Sequence, residues 1–524
     1  GARAAIDFRG EILSVPAEKG DDRNLTNSPG AHDRYPAWSP DGKSIAWFSD
    51  QSGEYQLFIA PQDGRGTTRR ITLNGAGFYA DPRWSPEGTK IAFTDNSRSL
   101  FVADVATGSV RKISTQPLYS PGAFDQAHHS WSPDSKWLAY VRRTPTYMGQ
   151  VHLYEVATGT SHPVTDGLSD ATSPVFDPNG QYLYFLVSTD AGPVQDWFSM
   201  SNADMQSANN IYLAVLPKGV PSPIAKESDE EKGSGLGAQG SEKKDEGKEA
   251  NVDVRVDLDG LSQRIVALPI EAGAYTNLSA GKTGEIYYIK RGPAAGPFND
   301  DPGTLYRFRI EGRKEDSLVE KVQSFEISRD SKKVFLELPR NSYVIADLGE
   351  KIDPTKHRLA VDSIEVKIDP RAEWRQIFDE AWRINRDYFY DQNMHGADWP
   401  AMRAKYSAFL PHLTSRQDLD RVLRWMSSEL AVGHHRLRGG DSLAESETTP
   451  GGLLGADYSV ENGRYRFAKV YGGLNWNPEL RAPLTEPGVD VKAGEYLLAV
   501  EGKDLRYPEN LHSRFERTAG RLTE

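Results

Sequence analysis

The chain has 524 residues, with 62 Lys or Arg against 74 Asp or Glu, so its formal net charge is −12. This acidic balance argues against a nucleic-acid or anionic-membrane partner, since both need a basic face, and zero Cys excludes disulfides, thiolate metal sites and a cysteine nucleophile. With 38% hydrophobic residues, 47 Gly and 32 Pro, the composition indicates a folded protein with many turns and short strands. The sequence contains no run of 18 apolar residues, the length needed for a transmembrane helix.

Four segments within the first 180 residues share one pattern, in which an aromatic residue precedes a turn similar to Ser-Pro-Asp-Gly. The aromatic residues Trp38, Trp84, Trp131 and Phe176 lie 46, 47 and 45 residues apart, and a short apolar strand follows each turn. Proline fixes φ, aspartate bonds the local backbone and glycine accepts a positive φ, so the pattern predicts a hairpin. A period of about 40–50 residues with four strands in each repeat indicates the blades of a β-propeller.

Three further segments extend the repeat. Two weaker copies begin near Asn277 and Phe325, and residues 3–19 match part of a blade whose opening strand is missing. The sequence therefore predicts a mainly β protein with a seven-bladed β-propeller over residues 1–366, the first blade being truncated. Residues 226–249 are almost all Lys, Glu, Asp, Gly and Ser, a composition that predicts a disordered insert within one blade.

A small helical unit is predicted after the propeller. Apolar residues recur at three- and four-residue spacing between residues 374 and 389, which is typical of an amphipathic helix. Asp398 and Ser415 are suitable N-terminal caps for two more helices. We therefore assign residues 367–449 to a helical subdomain.

Two neighbouring histidines, His434 and His435, follow the third helix behind Gly433, which we expect to end that helix. A histidine at a helix end either caps the helix, favoured by its dipole, or acts as a base that reaches another segment. Spacing alone leaves both roles open. Adjacent histidines tend to point apart and no third ligand is patterned nearby, so neither a zinc site nor a cofactor is predicted.

The last 75 residues return to strands. A Gly-bounded turn, a strand over about 495–502 and a helix over about 508–517 are predicted in this order. The order resembles the middle of a PDZ domain that stops before its closing strand, so residues 450–524 are assigned to a truncated PDZ-like domain. Residues 453–456 form either a structural turn or a loop that binds a peptide C-terminus.

The ordered combination of these parts resembles the tricorn protease family. It consists of a propeller, a helical unit ending in Glu-Leu-x-x-x-His, a Gly-Gly-Asp sequence and a PDZ-like segment. The resemblance covers nearly the whole chain and is most specific at residues 453–458, 462–465, 475–478 and 486–491. It implies a cytoplasmic, homo-oligomeric serine peptidase that degrades oligopeptides, with the propeller as a substrate filter or channel.

The same resemblance assigns a role to His434. This residue falls on the family's catalytic histidine, which implies a general base, and His435 is a lesser candidate. The family often has serine before this histidine, whereas this chain has Gly433. The resemblance also implies that the serine nucleophile and a carboxylate lie beyond residue 524, so that this chain alone is inactive.

Two other interpretations are compatible with the sequence. One is a non-enzymatic peptide- or protein-binding scaffold that uses the propeller and the PDZ-like module for partners. The other is a TolB-like periplasmic interaction protein, in which the helical unit with its histidines has no place.

Overall fold

The computed structural model describes residues 1–117, 128–190, 208–225, 252–292, 301–349, 351–440, 449–477 and 479–524. The chain separates into two compact units, Gly1–Leu437 and Arg438–Glu524. The predicted insert at residues 226–249 lies outside the described residues. In the parts of the chain that are described, no helix combines the length and the apolar character needed to cross a membrane.

The first unit begins with seven consecutive antiparallel sheets, counted over its described residues. The first three sheets contain β1 (Arg3–Phe8), β2 (Glu11–Pro16) and β3 (Arg23–Asn24); β4 (Asp33–Trp38), β5 (Ser44–Ser49), β6 (Gln56–Pro61) and β7 (Arg69–Ile71); and β8 (Tyr79–Trp84), β9 (Lys90–Asp95), β10 (Ser99–Asp104) and β11 (Val110–Thr115). The fourth and fifth contain β12 (His129–Trp131), β13 (Trp137–Arg143), β14 (Gly149–Glu155) and β15 (Thr160–Pro163); and β16 (Asp170–Phe176), β17 (Tyr182–Ser188), β18 (Asn210–Val215) and β19 (Ile265–Ala267). The sixth and seventh contain β20 (Ala274–Ala280), β21 (Glu285–Arg291), β22 (Gly303–Arg309) and β23 (Lys314–Val322); and β24 (Ser324–Ile327), β25 (Lys333–Leu338) and β26 (Ser342–Asp347).

The repeated turns form the predicted hairpins between the first two strands of a sheet. Gly42, Gly88 and Gly180 take positive φ values of 69°, 73° and 72°, and Ser135 takes the equivalent place with φ 62°. In the first of these turns the Ser39 hydroxyl donates a hydrogen bond of 2.6 Å to Asp41, two residues further along the turn. The predicted turn chemistry is therefore confirmed.

Apolar cores fill the space between successive sheets, and one core joins the last sheet to the first. In that core the buried Leu13 and Val15 of β2 pack with Ile345 of β26 and with Leu359. The chain at 357–359 runs beside β26, since the Leu359 N–H donates to the Tyr343 carbonyl at 2.8 Å. The architecture is thus mainly β and propeller-like, and its two ends pack together.

Three helices follow, at the places where the sequence predicts them: α1 (Pro370–Tyr388), α2 (Trp399–Ser407) and α3 (Arg416–Ser428). Asp369 caps α1 and Asp398 caps α2, each by accepting hydrogen bonds from backbone N–H groups of the first turn. The apolar face of α1 packs into a core shared with α2 and α3, in which Trp374 and Phe378 are buried.

The opposite face of α1 is polar and lies against the second sheet. Arg383 makes a buried ion pair with Asp50, in the connection between β5 and β6, and the two side chains are only 5% and 2% exposed. A second guanidinium nitrogen of Arg383 donates to the Gly53 carbonyl at 2.6 Å. Asp50 also accepts the His32 N–H at 2.6 Å and the Gln376 side-chain amide at 3.0 Å. Every charge in this contact therefore has a partner.

Glu380 extends the same contact by one helical turn. Its carboxylate accepts the Tyr55 hydroxyl at 3.0 Å and lies 2.8 Å from Nδ1 of His32. Burial by itself raises the pKa of this carboxyl, but the hydrogen bond and charge of His32, with the charges of Arg34 and Arg383, outweigh it and hold the pKa below its ordinary value.

The second unit contains a three-stranded sheet of β27 (Ala456–Glu461), β28 (Arg464–Val470) and β29 (Tyr496–Leu497), and a short pair, β30 (Ala499–Val500) and β31 (Lys503–Asp504). The predicted helix over about 508–517 is wrong in length, because only a 3₁₀ turn at Leu511–Phe515 forms. Leu511 and Phe515 fill the small core of this unit, and one turn suffices to place both.

Replacing Arg383 tests the polar contact of α1. Arg383→Ala leaves Asp50 buried without its cation, and such a change lowers the free energy of unfolding by about 3–5 kcal/mol. Arg375→Ala removes an exposed arginine from the same helix and is expected to cost less than about 0.5 kcal/mol. Denaturant unfolding of both variants measures the difference, and equal losses would contradict the assignment.

The lowered pKa of Glu380 predicts a pH dependence with a defined sign. A carboxyl with a lower pKa in the folded than in the unfolded state adds stability above its unfolded pKa, about 4.3, and that stability is lost as pH falls through the folded pKa. Glu380→Gln should therefore be less stable than the wild type near about pH 6 and approach it below about pH 4. A stability gap that widens on acidification would contradict this sign.

Candidate functional site

The helix that precedes the candidate histidines is well defined at its start. The Ser415 hydroxyl accepts the Asp418 N–H at 3.2 Å, and the Asp418 carboxylate accepts the Ser415 N–H at 3.1 Å. This reciprocal pair is the predicted capping box. Leu419, Val422 and Met426 then point into the helical core, so α3 is fixed in rotation.

The end of α3 differs from the sequence prediction. The helix ends at Ser428, and the left-handed residue that follows it is Ala431, with φ 52°. Gly433 does not adopt a positive φ, and a Cβ atom built on it meets no atom within 4 Å. Gly433 as the helix stop is therefore wrong: the chain turns two residues earlier, where buried Leu430 fixes the course of the backbone.

His434 lies on an exposed loop whose two ends are anchored. Val432 and Leu437 are partly buried against the helical core, whereas His434, His435 and Arg436 between them are exposed. Within the described residues, no hydrogen bond to the ring of His434 is found. The structure thus presents both candidate histidines to solvent from a loop that is held at either side.

Glu429 has a structural role beside this loop. Its carboxylate accepts Nζ of Lys405 at 2.6 Å and the hydroxyl of Tyr406 at 2.6 Å. These two hydrogen bonds outweigh desolvation and hold the pKa of Glu429 below its ordinary value. The glutamate of the Glu-Leu-x-x-x-His sequence therefore ties α2 to the end of α3, and its donors are supplied by α2.

One histidine that the sequence analysis did not single out contacts the end of α3. Nδ1 of His395 lies 2.9 Å from the Leu430 carbonyl oxygen. A lone histidine in the connection between α1 and α2 carries no periodic or motif signal, so only the folded chain reveals this contact. Among the described residues, no group of three or more His, Asp or Glu side chains is arranged to hold a metal ion.

The loop at residues 453–456 belongs to the second unit. The Gly452 N–H donates to the Phe515 carbonyl at 2.8 Å, and the Gly455 carbonyl accepts the Tyr471 N–H at 2.9 Å. Leu454 packs into the core of this unit, whereas Leu453 is 74% exposed. The backbone on either side of the loop is fixed, and one apolar side chain is left in solvent.

Comparison with protein families finds three matches in the order of the chain. Residues 1–348 match the model described as "Tricorn protease second beta propeller domain", residues 370–428 match "Tricorn protease C1 domain", and residues 452–524 match "Tricorn protease PDZ domain". The first of these models alone covers more than half of the chain.

Individual relatives agree with these matches. "Tricorn protease homolog 1" of Streptomyces coelicolor is 29% identical over 520 residues, which are 95% of this chain and 47% of the relative. "Tricorn protease" of Thermoplasma acidophilum is 21% identical over 406 residues, 74% of this chain and 35% of the relative. A solved structure, "Crystal structure of the tricorn protease", shares the fold with a TM-score of 0.71 at 18% identity, covering 100% of this chain and 49% of that one. The chain thus spans between about a third and a half of the length of these relatives.

The backbone at Gly433 predicts that serine is tolerated there. Gly433→Ser should change the free energy of unfolding by less than about 0.5 kcal/mol, because the Cβ has open space and φ is not left-handed. Gly396 is the matched control, since it also has open space but takes φ +84°. Gly396→Ser should cost about 1 kcal/mol, and thermal or denaturant unfolding compares the two variants.

Proposed function

The chain belongs to the tricorn protease family, and we propose that it forms the propeller, the histidine-bearing subdomain and the PDZ-like part of a serine peptidase that degrades oligopeptides. The observation that carries this proposal is the exposed His434 loop, anchored at Val432 and Leu437. The resemblance to the family implies a catalytic histidine at this point of the chain, which supports the proposal.

His434 acts as the general base in this proposal. A general base must reach the proton it removes, at about 2.6–3.2 Å between heavy atoms, so it needs a ring that another segment can approach. The exposed loop meets that requirement. The serine nucleophile and its carboxylate lie outside these 524 residues, so this chain alone is inactive. His435 is the lesser candidate on the same loop.

The seven sheets form a seven-bladed propeller that filters or channels peptide substrates. The core between Leu13, Val15 and Ile345 supports closure, because it joins the last sheet to the first. The first sheet contains three strands among the described residues, and in this proposal it forms the first blade. The proposed parts are residues 1–366, 367–449 and 450–524.

The PDZ-like part binds a peptide C-terminus at residues 453–456, where the fixed loop presents Leu453 to solvent. The proposed enzyme is a cytoplasmic homo-oligomer, and its acid–base mechanism requires no cofactor. The family relationship supports the proposal of both the location and the oligomeric state.

Mutation of the two histidines in the whole natural protein tests the proposal. His434→Ala should lower kcat/KM for oligopeptide hydrolysis at least about 100-fold, as expected for loss of a general base. His435→Ala on the same loop is the matched control, with an expected loss of less than about threefold.

Retained activity in His434→Ala would overturn the assignment of the base. If His435→Ala were the inactive variant, the base would be its neighbour. If the whole natural protein hydrolysed no peptide but bound peptides, the scaffold interpretation would replace the peptidase.

A further inference from the structure

A hydrogen-bonded histidine joins the connection after α1 to the end of α3. Nδ1 of His395 lies 2.9 Å from the Leu430 carbonyl oxygen, and Nε2 lies 2.6 Å from the Tyr390 hydroxyl. A carbonyl can only accept, so Nδ1 carries a proton and donates it to Leu430. Both ring nitrogens are therefore engaged.

The backbone on both sides of this contact is in an unfavourable conformation. Met394 and His395 take φ values of 53° and 52°, and Ala431, directly after Leu430, also takes 52°. Residues with a Cβ atom rarely adopt this left-handed region, and they do so only where the surrounding structure determines it. Three such residues therefore flank the hydrogen bond between His395 and the Leu430 carbonyl.

The residues around His395 hold it in this left-handed conformation. Met394 is buried in the helical core, and the Asp391 carboxylate accepts the His395 N–H at 2.9 Å. The ring of Phe389 packs at 74° against the imidazole with centroids 5.0 Å apart. The backbone at His395 is therefore fixed by Met394 and Asp391, and the imidazole packs against Phe389.

The position of Leu430 decides what this contact controls. Its side chain is fully buried, and its carbonyl is the last backbone group before the left-handed turn at Ala431 that leads into the His434 loop. A shift of that carbonyl rotates the chain that carries His434. We propose that His395 is a positioning residue, which sets the direction of the His434 loop through the Leu430 carbonyl. This inference rests on the proposed function of His434.

The test compares two substitutions of His395 in the whole natural protein. Asparagine tolerates the left-handed region, and its amide nitrogen takes the place of Nδ1, so His395→Asn keeps both the conformation and the donor. Glycine keeps the conformation but removes the donor. His395→Gly should lower kcat about tenfold or more while KM changes less than about twofold, and His395→Asn should stay within about threefold of the wild type.

His412→Ala is the matched control, because His412 is an exposed histidine of the same helical subdomain. It should leave kcat and KM unchanged. Tyr390→Phe removes only the outer hydroxyl of an exposed side chain, so this variant is expected to fold, and it should lower kcat by about two- to fivefold.

Amide hydrogen exchange at residues 429–436 gives a readout that does not depend on activity. Exchange there should be faster in His395→Gly than in His395→Asn. Equal exchange in these two variants would overturn the positioning role whatever the activity. If His434→Ala is inactive and His395→Gly keeps the wild-type kcat, the positioning role fails and the proposed function stands. An active His434→Ala overturns the assignment of His434 as the base instead.

Discussion

The buried ion pair between Arg383 and Asp50 is the contact on which the arrangement of the first unit depends. A charge removed from water is costly, and a buried pair persists only where further hydrogen bonds satisfy the remaining donors and acceptors. Here the Gly53 carbonyl, the His32 N–H and the Gln376 amide supply most of these hydrogen bonds, and Nε of Arg383 is a buried donor of the pair without a partner among the described residues. The pair therefore fixes one orientation of α1 on the second sheet, because any other orientation leaves a charge without partners.

This contact gives α1 two buried faces of opposite character. Trp374 and Phe378 pack into the helical core, while the polar side chains between residues 373 and 386 face the propeller. The helical core in turn holds α3 and the two anchors of the His434 loop, Val432 and Leu437. The direction of that loop is thus linked to the propeller through one helix, with an apolar contact on one side and an ionic contact on the other.

Local chemistry explains which parts of this structure could be predicted from the sequence. The Ser-Pro-Asp-Gly turns and the caps Asp398 and Ser415 act within a few residues, so their patterns were sufficient. The docking of α1 was not predictable, because Asp50 and Arg383 are 333 residues apart and a polar stripe at helical spacing is equally typical of a solvated face. The left-handed turn at Ala431 was missed because it follows the buried Leu430 and contains no glycine.

The residues that direct the His434 loop differ from those that could orient the His434 ring. The loop is directed by Leu430, Val432 and Leu437, all of which belong to this chain. The nearest acidic residue of the motif, Glu429, already accepts from Lys405 and Tyr406, so it is committed to joining the helices. The free space at Gly433 would admit the serine hydroxyl that the family often carries there. The difference at this position is therefore one of hydrogen-bonding capacity next to the proposed base, and the backbone at Gly433 would not exclude serine.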